Sequence, residues 1–339
     1  MLLVSTARER LDRGDANGAE SEFVSLSSSS SSRVAGQAWF FRGVIAERRL
    51  AFADAVADYT QSIARDPGGR YAARAGARVE YLHAHAEGDF APLQTLERVR
   101  GDSTRASDPT AIAELSRAAN SFPPGPVRSE ARLLVSQAYV GRLHRPIDAA
   151  PTLRALADDP SATPDMRRIA IEMLARVRED RAEFSIALRE LNELHAPEPI
   201  VARVRRELRR AWLYRFAWAS IAVVIFAGAF AIVQTSRRKR MGALVAAWKR
   251  PLPLAHLAML SLGGALLAHS YEDHDMRPFF GFGAGALVVY FAATAWSLAG
   301  SVHVVPRIGR AVACALAVLS VSFLAMHRFD IGMLEGINL

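Results

Sequence analysis

The residues best equipped for chemistry gather near the carboxyl end of the chain: His269, Glu272, Asp273, His274 and Asp275, with His327 and Asp330 further on. Imidazoles and carboxylates together are the ligand set of Zn²⁺ and other divalent ions. The spacing argues for less. His269 and His274 stand as His-x₄-His, which fits no standard zinc motif, and there is no His-Glu-x-x-His. The plain alternative is a wet, polar loop at a membrane edge. No Gly-x-Ser-x-Gly elbow and no phosphate-cradling Gly-x-x-x-x-Gly-Lys-Ser/Thr occurs, and no span carries paired glutamates or a mid-membrane acid that could relay protons. The single cysteine, Cys314, lies in an apolar run, where it reads as a small core residue with no intrachain disulfide partner. The expectation is therefore no catalytic residues, no metal and no cofactor. A membrane enzyme or metal-binding protein centred on residues 269–275 is the alternative.

Whatever holds that cluster must be a membrane unit. Residues 216–233 carry no formal charge, and as a helix they would extend about 27 Å, close to the hydrocarbon thickness of a bilayer. Arginines crowd the approach at 203, 205, 206, 209, 210 and 215, and Arg237, Arg238, Lys239 and Arg240 follow. Four spans are expected at about 213–233, 252–270, 279–300 and 307–327, entered through an Arg-rich linker helix at 201–215. Gly281 and Gly285 make a small-xxx-small pair that would let a neighbouring helix approach. Four crossings put the 271–278 loop, the carboxyl terminus and the amino-terminal half on one face, so Glu272, Asp273 and Asp275 are expected to dock against the arginine belt at 203–215.

Charge divides the chain in the same place. The net charge of +8 splits into 26 Arg against 28 Asp and Glu over residues 1–200, then 16 basic against 6 acidic residues over 201–339. Basic residues that flank apolar spans report topology and lipid-headgroup contact, and no groove-reading motif accompanies them, so nucleic acid is not an expected partner. The short loop bearing Arg237 to Arg240, Lys249 and Arg250 should face the cytoplasm, which places the amino-terminal half outside. No export signal is visible ahead of that half, so this orientation expects a leader upstream of the present start. Heavy Ala and Arg use, with only two lysines, fits a GC-rich bacterial genome and an inner-membrane location.

The amino-terminal half is helical by its apolar periodicity. Residues 1–26 read as two short helices around Arg13-Gly14-Asp15, and the serines at 27–32 read as a flexible link. In a frame starting at Gly36, Trp39, Gly43, Ala55, Tyr59, Ser62 and Pro67 then fall at offsets that resemble the tetratricopeptide repeat, a helix–turn–helix unit of about thirty-four residues. Gly43 and Ala55 would sit where the two helices cross closely, Trp39 and Tyr59 would fill the space between units, and Pro67 would end the second helix. Arg42 and Ala46 depart from the family, which usually has Leu and Tyr there. Looser copies turn at Glu87-Gly88-Asp89-Phe90, near Arg145-Pro146 and at Asp180-Arg181, with an insertion at about 101–126 that holds a helix at 109–122.

The chain is thus expected to be all-α: a tetratricopeptide-like α-solenoid over residues 1–200, followed by a four-helix transmembrane bundle over 213–339. The resemblance implies a groove that holds a protein or peptide partner, and hence a non-enzymatic adaptor or scaffold tethered to the bilayer.

Overall fold

The computed structural model describes residues 2–238, 242, 264, 277–298 and 304–328. Every regular element among them is helical, and they fall into two compact units, Met1–Val204 and Arg205–Leu339.

The first unit is built from α1 (Leu2–Asp12), α2 (Ala16–Ser27), α3 (Ser32–Arg48), α4 (Phe52–Arg65), α5 (Ala72–Ala84), α6 (Ala91–Arg100), α7 (Pro109–Ser121), α8 (Pro126–Gln137), α9 (Pro146–Ala157), α10 (Pro164–Glu179) and α11 (Phe184–Glu193). Local chemistry explains their starts. Asp15 accepts from the Gly18 amide at 2.9 Å to open α2, Asp108 accepts from Thr110 and Ala111 ahead of α7, and Thr163 accepts from Met166 ahead of α10. Proline occupies the first turn of α6 through α10, where its missing N–H costs nothing. Several helices end on a left-handed residue that is not glycine: Leu50, His144, Ala182 and His195 all have φ between 50° and 62°.

The serine run proves shorter and more ordered than a flexible link. Ser27 closes α2 and Ser32 opens α3, while Ser28 Oγ donates to the Ser25 carbonyl at 2.8 Å and Ser29 Oγ accepts from the Ser31 amide at 3.2 Å.

Each helix packs chiefly on its neighbours in sequence, α1 on α2, α2 on α3 and so on to α10 on α11. The buried apolar side chains form two cores, one from Val4 to Ala138 and one from Ala149 to Val204, and Tyr139 touches both. One hairpin breaks the pattern. α5 packs on α4, and α6 packs on α7 and α8, but α5 and α6 do not lie against each other. The copy of the repeat expected over residues 70–100 is therefore splayed.

The expected linker helix and first span are one element. α12 (Glu198–Arg237) runs unbroken for 40 residues, about 60 Å. Arginine is a good helix former, so nothing in the basic stretch interrupts the backbone ladder. Among the described residues α12 is the one helix long and apolar enough to cross a membrane, with a mean hydropathy of 2.4 over its best window. α13 (Arg277–Leu298), with an apolar stretch at Phe282–Trp296, and α14 (Val304–Arg328) fall on the third and fourth expected spans, while the second, Gly264 apart, lies outside the described residues.

These three helices bury small side chains together with Ile221, Phe282 and several valines, and expose many large ones. A Cβ on Gly228 would lie 2.6 Å from the Ala292 Cα, so α12 and α13 cross at backbone distance there. Ala286, Ala293, Cys314 and Ala317 are buried, and Ser220 and Ser320 hydrogen-bond across α12 and α14 at 2.8 Å. Phe226 and Phe230 of α12, Leu287 and Phe291 of α13, and Ile308 and Val312 of α14 are exposed, Phe226 by 75 %. A water-soluble unit would have the reverse distribution. Gly285 meets Val321 of α14 at 3.7 Å, an ordinary contact, so the closest approach involves Gly228 instead.

Candidate partner-binding cleft

The α3/α4 hairpin shows what a closed unit looks like. A Cβ on Gly43 would stand 2.7 Å from the Tyr59 ring, so the glycine is where the tyrosine lies against α3. Ala55 is fully buried at the same crossing, and Pro67 follows the end of α4 on the surface. Tyr59 is buried, and its hydroxyl donates to Glu47 Oε2 at 2.8 Å. Burial first, then the Glu47 carboxylate beside it, pushes its ionisation far above the ordinary tyrosine value.

Trp39 does not fill the space between units as its position in the repeat frame implies. It is half-buried, with the Arg42 guanidinium stacked 4.0 Å above its ring and Arg42 turned toward Asp58 at 3.4 Å. The filling is done by its neighbours. Phe40 stacks on Tyr71 at 4.6 Å and tilts toward Tyr59 at 5.5 Å, while Phe41 stacks on Phe23 at 5.2 Å. A one-residue shift in sequence turns the helix by about 100°, enough to exchange a core position for a rim position.

Between the splayed helices α5 and α6 opens a cleft of about 660 Å³. Its walls come from the α3/α4 turn (Glu47, Arg48, Leu50, Phe52), from α5 (Arg78, Tyr81) and from α6 and its end (Leu93, Glu97, Arg98, Arg100, Gly101). Leu93 and Phe52 are buried and form an apolar floor. The turn is held by the Gln94 side chain, which donates to the Leu50 carbonyl at 3.2 Å while Leu50 adopts φ 62°. Such a conformation is costly for a branched side chain and concentrates at binding and switch sites.

The acids on the walls are already engaged. Glu47 accepts from Tyr59 and from Arg78 Nε at 3.1 Å, and Glu97 pairs with Arg100 at 2.6 Å. Arg100 also reaches Glu130 of α8 at 2.6 Å, which ties α6 to α8. Behind the cleft, buried His85 stacks on Tyr81 at 4.0 Å and places its Nδ1 at 2.7 Å from the Tyr81 carbonyl and its Nε2 at 2.9 Å from Glu130. Both nitrogens face acceptors, which suits the imidazolium. Burial opposes that charge, but the Glu130 hydrogen bond and the Tyr81 carbonyl outweigh it and raise the His85 pKa. Burial would likewise raise Glu130, yet its bonds to His85 and Arg100 hold its carboxyl below the usual range. With its carboxylates occupied and Arg48 and Arg98 without ion-pair partners among the described residues, the cleft is equipped to bind anions rather than to move protons.

Arg48, Arg78, Tyr81, Arg98 and Arg100 carry no sequence signal as a site. Arginines in the last turn of a helix ordinarily complement its dipole, which makes Arg48, Arg98 and Arg100 look like solvated helix ends. Of the polar cluster expected at the membrane face, His269, Glu272, Asp273, His274 and Asp275 lie outside the described residues, as does Asp330. His327 falls in the last turn of α14. Of the arginine belt, Arg203 pairs with Glu179 at 3.1 Å and Arg210 with Glu207 at 3.0 Å. Among the described residues no group of three His, Cys, Asp or Glu could hold a metal ion.

The class that fold and cleft define is, among the described residues, all-α with one membrane-length helix. No family model, curated protein or solved structure matches the chain.

Proposed function

We propose that this chain is a membrane-anchored adaptor whose helical first unit binds a protein or peptide partner, with the lipid bilayer around its second unit. The observation that carries the reading is the pairing of two opposite surfaces on one chain. Residues 2–204 form neighbour-on-neighbour helices with buried large apolar side chains and a polar cleft, an arrangement that suits a tetratricopeptide-like binding scaffold. The helices after residue 205 bury small residues and present Phe, Leu and Ile outward, as a lipid-facing bundle would. Four spans in a bacterial inner membrane fit this proposal. Arg237 and Arg238, with the basic residues after them, set the cytoplasmic end of α12 by the positive-inside rule, so the repeat unit lies on the outer face.

Two experiments test it. A photo-crosslinking residue placed at Arg98 of the full chain in cells should capture a discrete partner, whereas one at exposed Arg176 of α10 should not. The absence of any discrete product at both positions removes the adaptor reading. For orientation, Ser30→Cys should react with an impermeant maleimide in intact cells, since Cys314 is buried and stays silent. Labelling only after lysis reverses the topology.

A further inference from the structure

We infer that the α5/α6 cleft takes an acidic peptide segment carrying a bulky apolar side chain, the carboxylates meeting Arg48 and Arg98 and the apolar group resting against Leu50 and Tyr81. The inference rests on the adaptor reading and names its ligand chemistry.

Charge decides the sign. The four arginines on the walls exceed the two glutamates, and the surplus is specific: Arg78 is committed to Glu47, Arg100 to Glu97 and Glu130, while Arg48 and Arg98 are exposed and unpaired among the described residues. Both belong to rims that converge on one cavity, Arg48 from the last turn of α3 and Arg98 from α6. Planar guanidiniums with free donors recognise carboxylates in pairs of hydrogen bonds.

The floor decides the rest of the ligand. Leu93 and Phe52 close the bottom, half-buried Leu50 stands at the lip, and the half-buried Tyr81 ring packs against both the Arg78 guanidinium at 4.6 Å and the His85 imidazole at 4.0 Å. Leu50 is held at φ 62° with its carbonyl fixed by Gln94, so this wall is set before any ligand arrives. A nucleic acid would want an extended basic face, and residues 1–200 carry 28 acids against 26 arginines. A short peptide that places one or two carboxylates beside an apolar anchor uses all of the cleft and none of the surface beyond it.

The test uses the full chain in detergent and fluorescence anisotropy of a labelled (Glu-Glu-Leu)₄ peptide, with (Gln-Gln-Leu)₄ and a single-stranded oligonucleotide of similar length as comparisons. The acidic peptide should bind saturably below about 1 mM, and raising salt from about 50 to 200 mM should weaken it. Arg48→Glu with Arg98→Glu should weaken it tenfold or more, while Arg48→Lys with Arg98→Lys should keep most of the affinity. Both sites are exposed, so an unchanged helical melt separates lost binding from lost folding; if the double variant melts early, Arg98→Glu alone serves. Absence of saturable binding, equal binding of the glutamine peptide, or an unaffected double variant overturns the inference. Tighter binding of the oligonucleotide overturns it in favour of a nucleic-acid surface. If the crosslinker at Arg98 still captures a cellular partner while the acidic peptide fails to bind the wild-type chain, the adaptor reading survives and this ligand assignment does not. Peptide binding with no cellular partner has the opposite meaning.

Discussion

In the α3/α4 hairpin a glycine meets a tyrosine ring; in the α5/α6 hairpin the glycine about one repeat length later, Gly76, would meet nothing if it carried a Cβ. The first hairpin closes and the second stays open. Small residues permit two helices to approach, but they do not draw them together. Closure needs a filled interior, and Phe40, Tyr59 and Tyr71 supply it in one case. In the other, Arg78 pairs with Glu47 of α3, and Arg100 with Glu97 of its own helix and Glu130 of α8, so that among the described residues no ion pair joins α5 to α6. A polar interior that is paired sideways leaves a cleft between its own two helices.

The largest effects should come from the aromatic filling. Phe40→Ala removes a buried ring packed against three others and should cost about 3–5 kcal/mol. Trp39→Ala, despite the larger side chain, removes a half-buried ring on the rim and should cost clearly less. Thermal melts of the full chain in detergent rank the two, and a larger loss at Trp39 would return the filling role to the position that the repeat frame implies. Next comes the crossing itself. Gly43→Leu drives a side chain into the Tyr59 ring and should cost about 1–3 kcal/mol or more by overpacking. Gly76→Ala should be neutral or stabilising by up to about 1 kcal/mol, because helix propensity improves where no neighbour is met. Equal losses at both glycines would mean that the second hairpin closes in solution.

These contrasts mark what could be read from the sequence. The helices and several of their turns, at Gly14, Gly88 and Pro146, were legible because apolar periodicity and turn residues are local signals. The splay of α5 from α6 was not, since it depends on which partner an arginine finds 30 or more residues away. Nor was the unbroken α12, because a change from basic to apolar composition looks like a boundary while the backbone continues through it. Gly228 was hidden inside the strongest span, where a glycine reads as tolerated rather than as a crossing point. The candidate cleft was illegible for the same reason as the splay. The metal-like cluster at 269–275, by contrast, was conspicuous in sequence and lies outside the described residues.

A smaller effect belongs to the turns. Ala182 is exposed and holds φ 57° at the α10/α11 turn, where a Cβ adds strain without adding packing. Ala182→Gly should therefore stabilise the first unit by about 0.5–1 kcal/mol, the relief of left-handed strain exceeding the added freedom of the unfolded chain. Leu50→Gly should gain less, because Leu50 also packs against the core at the cleft. A destabilised Ala182→Gly would mean that the turn is not left-handed in solution.

The subtlest test separates the two hairpins by pH, and it is read in slopes rather than in any single midpoint. In the closed hairpin, burial chiefly, opposed by Arg42, raises the Asp58 pKa from 3.8 to about 6. The folded chain then holds a proton more tightly than the unfolded chain between those values, so the Asp58 contribution falls as pH rises from 3.8 to about 6. Asp58→Asn should remove that acid-side slope. Beside the open hairpin, His85 is the raised group, and it faces the Tyr81 carbonyl, Glu130 and, more distantly, Glu87. Its contribution is complete below the ordinary histidine value of 6.5 and is lost as pH climbs through the elevated folded value, because a neutral ring cannot donate to both Tyr81 and Glu130. His85→Gln should flatten the profile there, and it should also change the acid side through Glu130, whose carboxyl the His85 bond helps hold below the usual range. The Asp58 and His85 windows do not overlap, so the acid side of the Asp58→Asn difference profile and the alkaline side of the His85→Gln profile assign each slope to one hairpin. If Asp58→Asn alters the alkaline side, the two hairpins are coupled and the cleft is not independent of the closed unit beside it. If neither variant changes a slope, the buried charges are more hydrated than their partners in the structure allow, and the polar wall of the cleft is looser than Leu50 and Gln94 make it.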